Sequence, residues 1–399
     1  MIRVDLTENG APVEVEIADR VAVALRSSGL VTATPALSHG WWSIGPAGKV
    51  GVAQVAGVEL WITPKVDIRR LLFLVGFATD HRIWRDEDLG LTEDSDLLSA
   101  IAAAFARQAD KATQQGLLQG YRLEEDALPV LRGRLRSAEQ LTRRYGLAVP
   151  VEVQFDEYGV DIPENQLLRG AAEVLLRVPG VKSMARKRLL RLVRSMADVT
   201  PARRGRVRST WQPSRLNARY HLALRLAELI LRGGSVEQQT GASMVNGFML
   251  DMAKVFEDFL TVALGDALTA YDGHCNAQDR WHLDEADEIT MRPDLVWYRR
   301  SGEVGAVVDA KYKAEKPSGF PYADLYQMLA YCTALGLPRG HLVYAKGNEP
   351  AATFVVRNAG VEIVQHSLDL SQSPQLLLSQ VARIAQLIRE PVCQGGETA

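Results

Sequence analysis

Cysteine is scarce in this chain. Three residues of 399, Cys275, Cys332 and Cys393, form an odd set with no paired spacing, which excludes a disulfide framework and a zinc knuckle. Long apolar runs are lacking too. The stretch from Leu71 to Ala78 falls far short of the roughly 20 residues that cross a bilayer. The opening MIRVDLTENG has no signal-peptide apolar core, so a cytoplasmic chain without a membrane partner is expected. A phosphate loop is missing as well: Ser43 to Val50 reads SIGPAGKV, with Ser and Val at the ends where G-x-x-x-x-G-K-[ST] demands Gly and Ser or Thr. The chain is therefore expected to bind no GTP itself. There is no G-x-S-x-G elbow for a serine hydrolase, and His274, His282 and His341 lack the spacing of a zinc site.

Nor does one sign of charge dominate, since 46 Lys and Arg against 48 Asp and Glu leave a net charge of −2. The distribution is more informative. Between Arg177 and Arg232 there are fifteen basic residues and two acids, Asp198 and Glu228, so this window carries +13. Such a concentration suits a surface that meets phosphates or an acidic protein, although a solvated helix face would show the same run. Hydrophobic residues at 47% and charged residues at 24% are those of a folded protein, and at ~150 residues per domain the length suggests two or three domains.

Periodicity divides the chain into four. Residues 1–66 alternate apolar and polar positions in IRVDL, VEVEI, KVGVAQ and VELWIT around one short helix, ADRVAVALRSSG, and predict a β-rich N-terminal module. Residues 67–150 turn to helical spacing, clearest where Leu98, Ile101, Phe105 and Ala112 recur on one face, and predict a helical connector. Residues 151–239 open on a strand, Val151 to Phe155, and continue as a basic helical bundle. One helix starts at Pro163 and a second is capped by Ser183. A third begins near Ser214, turns Leu216, Tyr220 and Leu224 inward, and stops at Gly233-Gly234. Residues 240–399 read as helix, strand, strand, helix, strand, with FMLDMAKVFEDFLTVAL as the first helix and DLVWY and VGAVVDAKY as a hairpin. This order predicts an α/β domain.

The chemistry concentrates between Glu257 and Tyr331. Asp294 follows Pro293 at a strand start, and Asp309-Ala310-Lys311 ends the next strand. Antiparallel pairing would bring the two carboxylates together. Two hard anionic oxygens with the Ala310 carbonyl can hold Mg²⁺, which keeps several of its waters. Lys311 shares a strand face with Asp309, where its ammonium can orient a water or offset charge building on a phosphoryl group. Glu257 on the preceding helix, with Asp258 or Glu285 as alternatives, and Gln327 and Tyr331 at helical spacing on the following one complete the candidate set. Arg186, Lys187, Arg191, Arg203, Arg204, Arg206 and Arg208 are the candidate contacts to DNA phosphates. Trp211 is expected to pack in a core rather than stack on a base.

Glu257, Pro293-Asp294, Asp309-Ala310-Lys311 and Gln327-Met328-Leu329-Ala330-Tyr331 resemble, in order, the elements of the PD-(D/E)xK (restriction-endonuclease-like) nuclease superfamily, and the Gln-x-x-x-Tyr element resembles its RecB-like branch. Trp61 to Lys65, Leu131 to Leu135, Asp156 to Asn165 and Asp309 to Lys313 extend the resemblance over nearly the whole chain to the McrC family. These are nuclease subunits of McrBC-type modification-dependent (5-methylcytosine) restriction systems. The resemblance implies an endonuclease cleaving double-stranded DNA with Mg²⁺ or Mn²⁺ at Asp294, Asp309 and Glu257, assisted by Lys311, Gln327 and Tyr331. It also implies a partner, a McrB-like AAA+ ring that binds the GTP and whose turnover this chain stimulates. The N-terminal module and the connector that follows it, with no catalytic constellation of their own, are the expected docking parts. Two other readings stay open: a noncatalytic regulator of the ring, and a free-standing RecB-like exonuclease.

Overall fold

The computed structural model describes residues 2–79, 97–145, 147–201, 211–233, 246–312, 322–345 and 352–389. The chain forms two compact units, one of Met1–Leu91 together with Met249–Ala399 and one of Thr92–Phe248. The predicted N-terminal module is therefore not a body apart from the C-terminal region. Local alternation reveals a strand, but not which distant strand will complete its sheet.

The first unit begins with β1 (Ile2–Thr7), β2 (Val13–Glu16), α1 (Asp19–Ser27), β3 (Val31–Pro35), β4 (Trp41–Pro46), β5 (Lys49–Val55) and β6 (Val58–Thr63); the alternation predicts β1, β2, β5 and β6, and β3 and β4 are additional strands. The β5–β6 turn places Ala56 and Gly57 at φ 48° and 85°, the left-handed pair that suits a tight hairpin. β2, β4 and β3 form one small sheet, while β1, β6 and β5 belong to another. α2 (Ile68–Thr79) follows, burying Leu71, Leu72 and Leu74.

The second unit holds α3 (Leu97–Thr113), β7 (Gly120–Leu128), β8 (Arg134–Leu135), α4 (Ser137–Arg144), β9 (Val151–Gly159), α5 (Pro163–Arg177), α6 (Ser183–Ser195) and α7 (His221–Gly233). The expected helical connector and helical middle region thus also contain a three-stranded sheet, β7-β9-β8. β7 was illegible because Tyr121 and Leu123 stand exposed and most of its other residues are polar, so no apolar face marks it as a strand. Two local expectations also need correction. Ser183 is the first residue of α6 rather than its cap, and Leu216, expected inward, is 86% exposed. Trp211 is buried, as expected of a core residue, and its indole N–H donates to Glu228 at 2.9 Å.

The first unit resumes within β10 (Asn246–Asp251), at Met249, and continues with α8 (Met252–Thr269). The single predicted helix is thus a strand followed by a helix. Asp251 makes the break, its carboxylate accepting from the Ala253 and Lys254 N–H groups as an N-cap. β10 completes the sheet β1-β6-β5-β10, which ties the N-terminal strands to the C-terminal half. Then come β11 (Gly273–Ala277), β12 (Trp281–His282), β13 (Thr290–Met291), β14 (Leu295–Arg299), β15 (Val304–Lys311), α9 (Tyr322–Leu335), β16 (Arg339–Ala345), β17 (Ala352–Val356), β18 (Val361–Leu368) and α10 (Pro374–Arg389).

The large sheet runs β11-β14-β15-β16-β18-β17. β15 lies at its centre, and Ala306 to Asp309 are buried in succession, the pattern of a strand covered on both faces. It pairs antiparallel with β14 and parallel with β16, with α9 as the crossover. α9 sits directly on the β16 backbone, because a Cβ at Gly340 would meet Met328 Sδ at 2.4 Å and Cys332 Sγ at 2.5 Å. Val307, Met328, Tyr331 and Leu342 form the core between helix and sheet. Among the described residues no helix is long and apolar enough to cross a membrane.

Candidate active site

The β14–β15 register pairs Leu295 with Val308, so Asp294, one step before the pair, falls opposite Asp309. The backbone closes the arrangement: the Ala310 N–H donates to Asp294 Oδ2 at 2.8 Å. Asp309 is 2% exposed and its side chain lies within hydrogen-bonding range of Asp294. Its Oδ2 is the oxygen that the Lys311 ammonium engages.

Two acids so close, with little water, hold their protons tightly. Burial first, then the charges of Asp309 and Glu257, push the Asp294 carboxyl up to about 7 against the pull of the Ala310 N–H and Lys311. Asp309 is raised chiefly by burial, with Lys311 opposing and Asp324 adding to the rise.

Lys311 reaches from the strand to the helix. Its Nζ donates to Gln327 Oε1 at 2.8 Å, and Gln327 Nε2 donates to the Tyr331 hydroxyl at 2.7 Å. The Tyr331 hydroxyl lies 3.4 Å from the Arg292 carbonyl, just before Pro293-Asp294. Burial, followed by the charge of Asp309, pushes that phenol up to about 12, so it remains a neutral donor. The spacing of Gln327 and Tyr331 thus serves a chain of hydrogen bonds from Lys311 back to the Asp294 loop.

Glu257 reaches this group through an intermediary. The Gln278 amide donates to Glu257 Oε1 at 2.9 Å and to Asp294 Oδ1 at 2.7 Å, while Lys254 holds the same Glu257 oxygen at 2.7 Å. Asp258 pairs with Lys254 at 3.0 Å, and Glu285 is exposed, so Glu257 is the acid joined to the site. Among the described residues no three His, Cys, Asp or Glu side chains are grouped to hold a metal ion. Asp294 and Asp309 adjoin each other, and Glu257 stands one side chain away.

Sequence reasoning missed two contributors. Gln278 lies in a turn and carries no motif. Asp324, 5% exposed, accepts from the Tyr344 hydroxyl at 2.9 Å and bears electrostatically on Asp309. Its spacing of three before Gln327 on α9 was the signal that could have found it.

Of the basic candidates, Arg186, Lys187 and Arg191 are exposed on α6, with Arg186 donating to the Leu176 carbonyl at 3.0 Å. Arg203, Arg204, Arg206 and Arg208 lie outside the described residues, as does Cys393.

The family described as McrBC 5-methylcytosine restriction system component matches residues 46–345. The chain belongs to this family. Its fold is similar to a chain of the refined half-complex from a tetradecameric assembly of Thermococcus gammatolerans McrB AAA+ hexamers with bound McrC. That likeness has TM-score 0.60 and 20% identity, covering 97% of this chain and 100% of the other. A chain in the cryo-EM structure of the Thermococcus gammatolerans McrBC complex matches at TM-score 0.39 and 20% identity, covering 67% and 88%. No curated protein matches the chain.

Proposed function

We propose that this member of the McrBC family is the DNA-cleaving subunit of a modification-dependent restriction complex, an endonuclease of the PD-(D/E)xK type. The observation that carries the reading is the meeting of Asp294, Asp309 and Lys311 at adjoining strand ends, with Gln327 and Tyr331 bonded behind them. Two adjoining carboxyls, each raised chiefly by burial, fit a divalent cation, Mg²⁺ or Mn²⁺, held by Asp294 and Asp309. Such a cation supplies Lewis-acid polarisation of a phosphodiester oxygen.

The chain's own residues supply the rest. The Ala310 N–H fixes the rotation of the Asp294 carboxylate. Lys311 has three donors, and Asp309 and Gln327 engage two, leaving one for the attacking water or a phosphate oxygen. Gln327 and Tyr331 hold the ammonium in place, and burial of Asp309 strengthens each of these electrostatic interactions. Glu257 supports the cation side of the site through Gln278.

A McrB-like AAA+ ring is the partner in this reading, binding the GTP and bringing modified double-stranded DNA within reach. The exposed face of the second unit supports a docking surface there. Tyr121 (75%), Leu123 (60%) and Tyr158 (58%) face solvent on β7 and β9, with the two tyrosine rings 5.0 Å apart, and exposed apolar side chains gathered in this way mark an interaction site; Leu141 (66%) is exposed on α4. The N-terminal module stays a docking candidate, but its deletion is not a clean test, because β1, β5 and β6 share a sheet with β10 and removing them would open the unit that bears the site.

The test is Asp309→Ala and Lys311→Ala in the full-length chain assembled with its ring. Each is expected to abolish cleavage of modified DNA with Mg²⁺ while GTP turnover stays stimulated. Cleavage at the wild-type rate by either variant would remove these residues from the mechanism.

A further inference from the structure

Gln278 stands outside every motif yet is bonded to both acids on one side of the site. We infer that it is a positioning residue for the divalent cation, orienting Asp294 and keeping Glu257 turned toward it; this rests on the nuclease reading of the site. Three bonds fix it. Its backbone N–H donates to the Asp294 carbonyl at 3.2 Å, and its side-chain amide donates to Asp294 Oδ1 and to Glu257 Oε1. The amide carries two N–H donors, enough for one carboxylate each. Asp294 is thereby held from both ends, Oδ2 by Ala310 and Oδ1 by Gln278, and its orientation relative to Asp309 is set before any ion arrives. Glu257 has a competing partner in Lys254 at 2.7 Å. Without Gln278 only the pull toward Lys254 would remain.

The backbone shows that this placement is imposed. Gln278 has φ 53°, in the left-handed region, which a residue with a Cβ adopts at a cost and which concentrates where side chains are aimed for function. The next residue provides the footing. Asp279 accepts from the Tyr298 hydroxyl at 2.5 Å and from Asn276 at 3.4 Å, and these bonds hold its carboxyl below the usual range. Tyr298 belongs to β14, the strand that starts just after Asp294. The turn is thus anchored to the strand whose leading acid Gln278 orients. Residues that orient metal-ligating carboxylates typically account for about 10–100-fold in metal affinity or activity.

The left-handed backbone separates a positioning role from a structural one. Gln278→Gly removes the amide and relieves the backbone cost, so thermal stability should hold or rise. Gln278→Leu keeps the bulk and the backbone bond and removes the two side-chain bonds. The full-length chain is titrated with Mn²⁺, and free Mn²⁺ is followed by electron paramagnetic resonance without DNA or turnover. Both variants are expected to bind Mn²⁺ about 10-fold more weakly while remaining folded. Unchanged or tighter Mn²⁺ binding in either folded variant would overturn the proposal, tighter binding meaning that the amide competes with the ion. Asp309→Asn distinguishes the two levels. If it abolishes Mn²⁺ binding while Gln278→Gly leaves it intact, only the role of Gln278 fails. If Asp309→Asn also binds normally, the cation site itself fails.

Discussion

A buried histidine pair should make the first unit sensitive to mild acid. His341 on β16 and His366 on β18 face each other in the large sheet, with Nδ1 of one 3.0 Å from Nε2 of the other, and they are 1% and 6% exposed. Burial first, then the charge of Arg339, pushes His366 down to about 4, and His341 is lowered in the same direction by burial, His366 and Arg339. A folded-state value below the unfolded one means that the unfolded chain takes up the proton first. Stability is therefore complete above about pH 6.5 and is lost as pH falls from there toward 4. At about 1.4 kcal/mol per pH unit, His366 alone costs about 2 kcal/mol at pH 5, and His341 adds to it. For a unit of this size the loss corresponds to about 4–8 °C in Tm, at about 2–4 °C per kcal/mol. The assay is thermal unfolding of the full-length chain and of His366→Gln at pH 7.5 and pH 5, following the transition of the first unit. Other acids contribute to both proteins, so the difference between their pH effects isolates the histidine. The variant should lose about 2 kcal/mol less than the wild type between the two pH values. Equal losses would show that His366 is not held neutral by its surroundings.

Three further perturbations probe other levels. Gly340→Val should cost about 1–3 kcal/mol as an overpacked contact, and because α9 would be pushed off β16 it should lower cleavage more than the folded fraction falls; unaltered cleavage would separate the α9 packing from the site. Leu123→Glu with Leu141→Glu should leave stability within about 0.5 kcal/mol, since both residues are exposed, but abolish stimulation of the ring's GTP turnover; full stimulation would move docking elsewhere. Reversing Arg186, Lys187 and Arg191 to Glu should flatten the salt dependence of DNA association by roughly 0.9 in log–log slope for each phosphate no longer neutralised, measured by titration at several salt concentrations. An unchanged slope would assign that face of α6 to solvent or to a protein partner.

The local elements that carry the candidate chemistry were legible from the sequence. The β14–β15 hairpin announced itself by two apolar runs around a short turn, and that pairing alone places Asp294 beside Asp309. The stripe on α9 and its stop at Gly336, φ 64°, were equally clear, because spacing along one helix is a property of consecutive residues. Asp251 escaped notice because one N-cap inside an apolar stretch separates β10 from α8, and hydrophobicity alone does not distinguish a buried strand from a buried helix. β7 escaped because its exposed Tyr121 and Leu123 break the rule that apolar residues mark the core.

Tertiary structure decided what depends on distant partners. The sequence by itself determined the acids, the lysine and the elements that hold them, because local spacing settles which side chains share a strand or helix face. Only the fold joined β10 to the N-terminal strands and so made them part of the unit bearing the site. Only the fold chose Glu257 over Asp258 and Glu285, by presenting it to a glutamine in a left-handed turn. The physical reason is that strand partners, burial and the resulting rise of the Asp294 carboxyl are properties of residues brought together across the chain, and nothing in the spacing of neighbours encodes them.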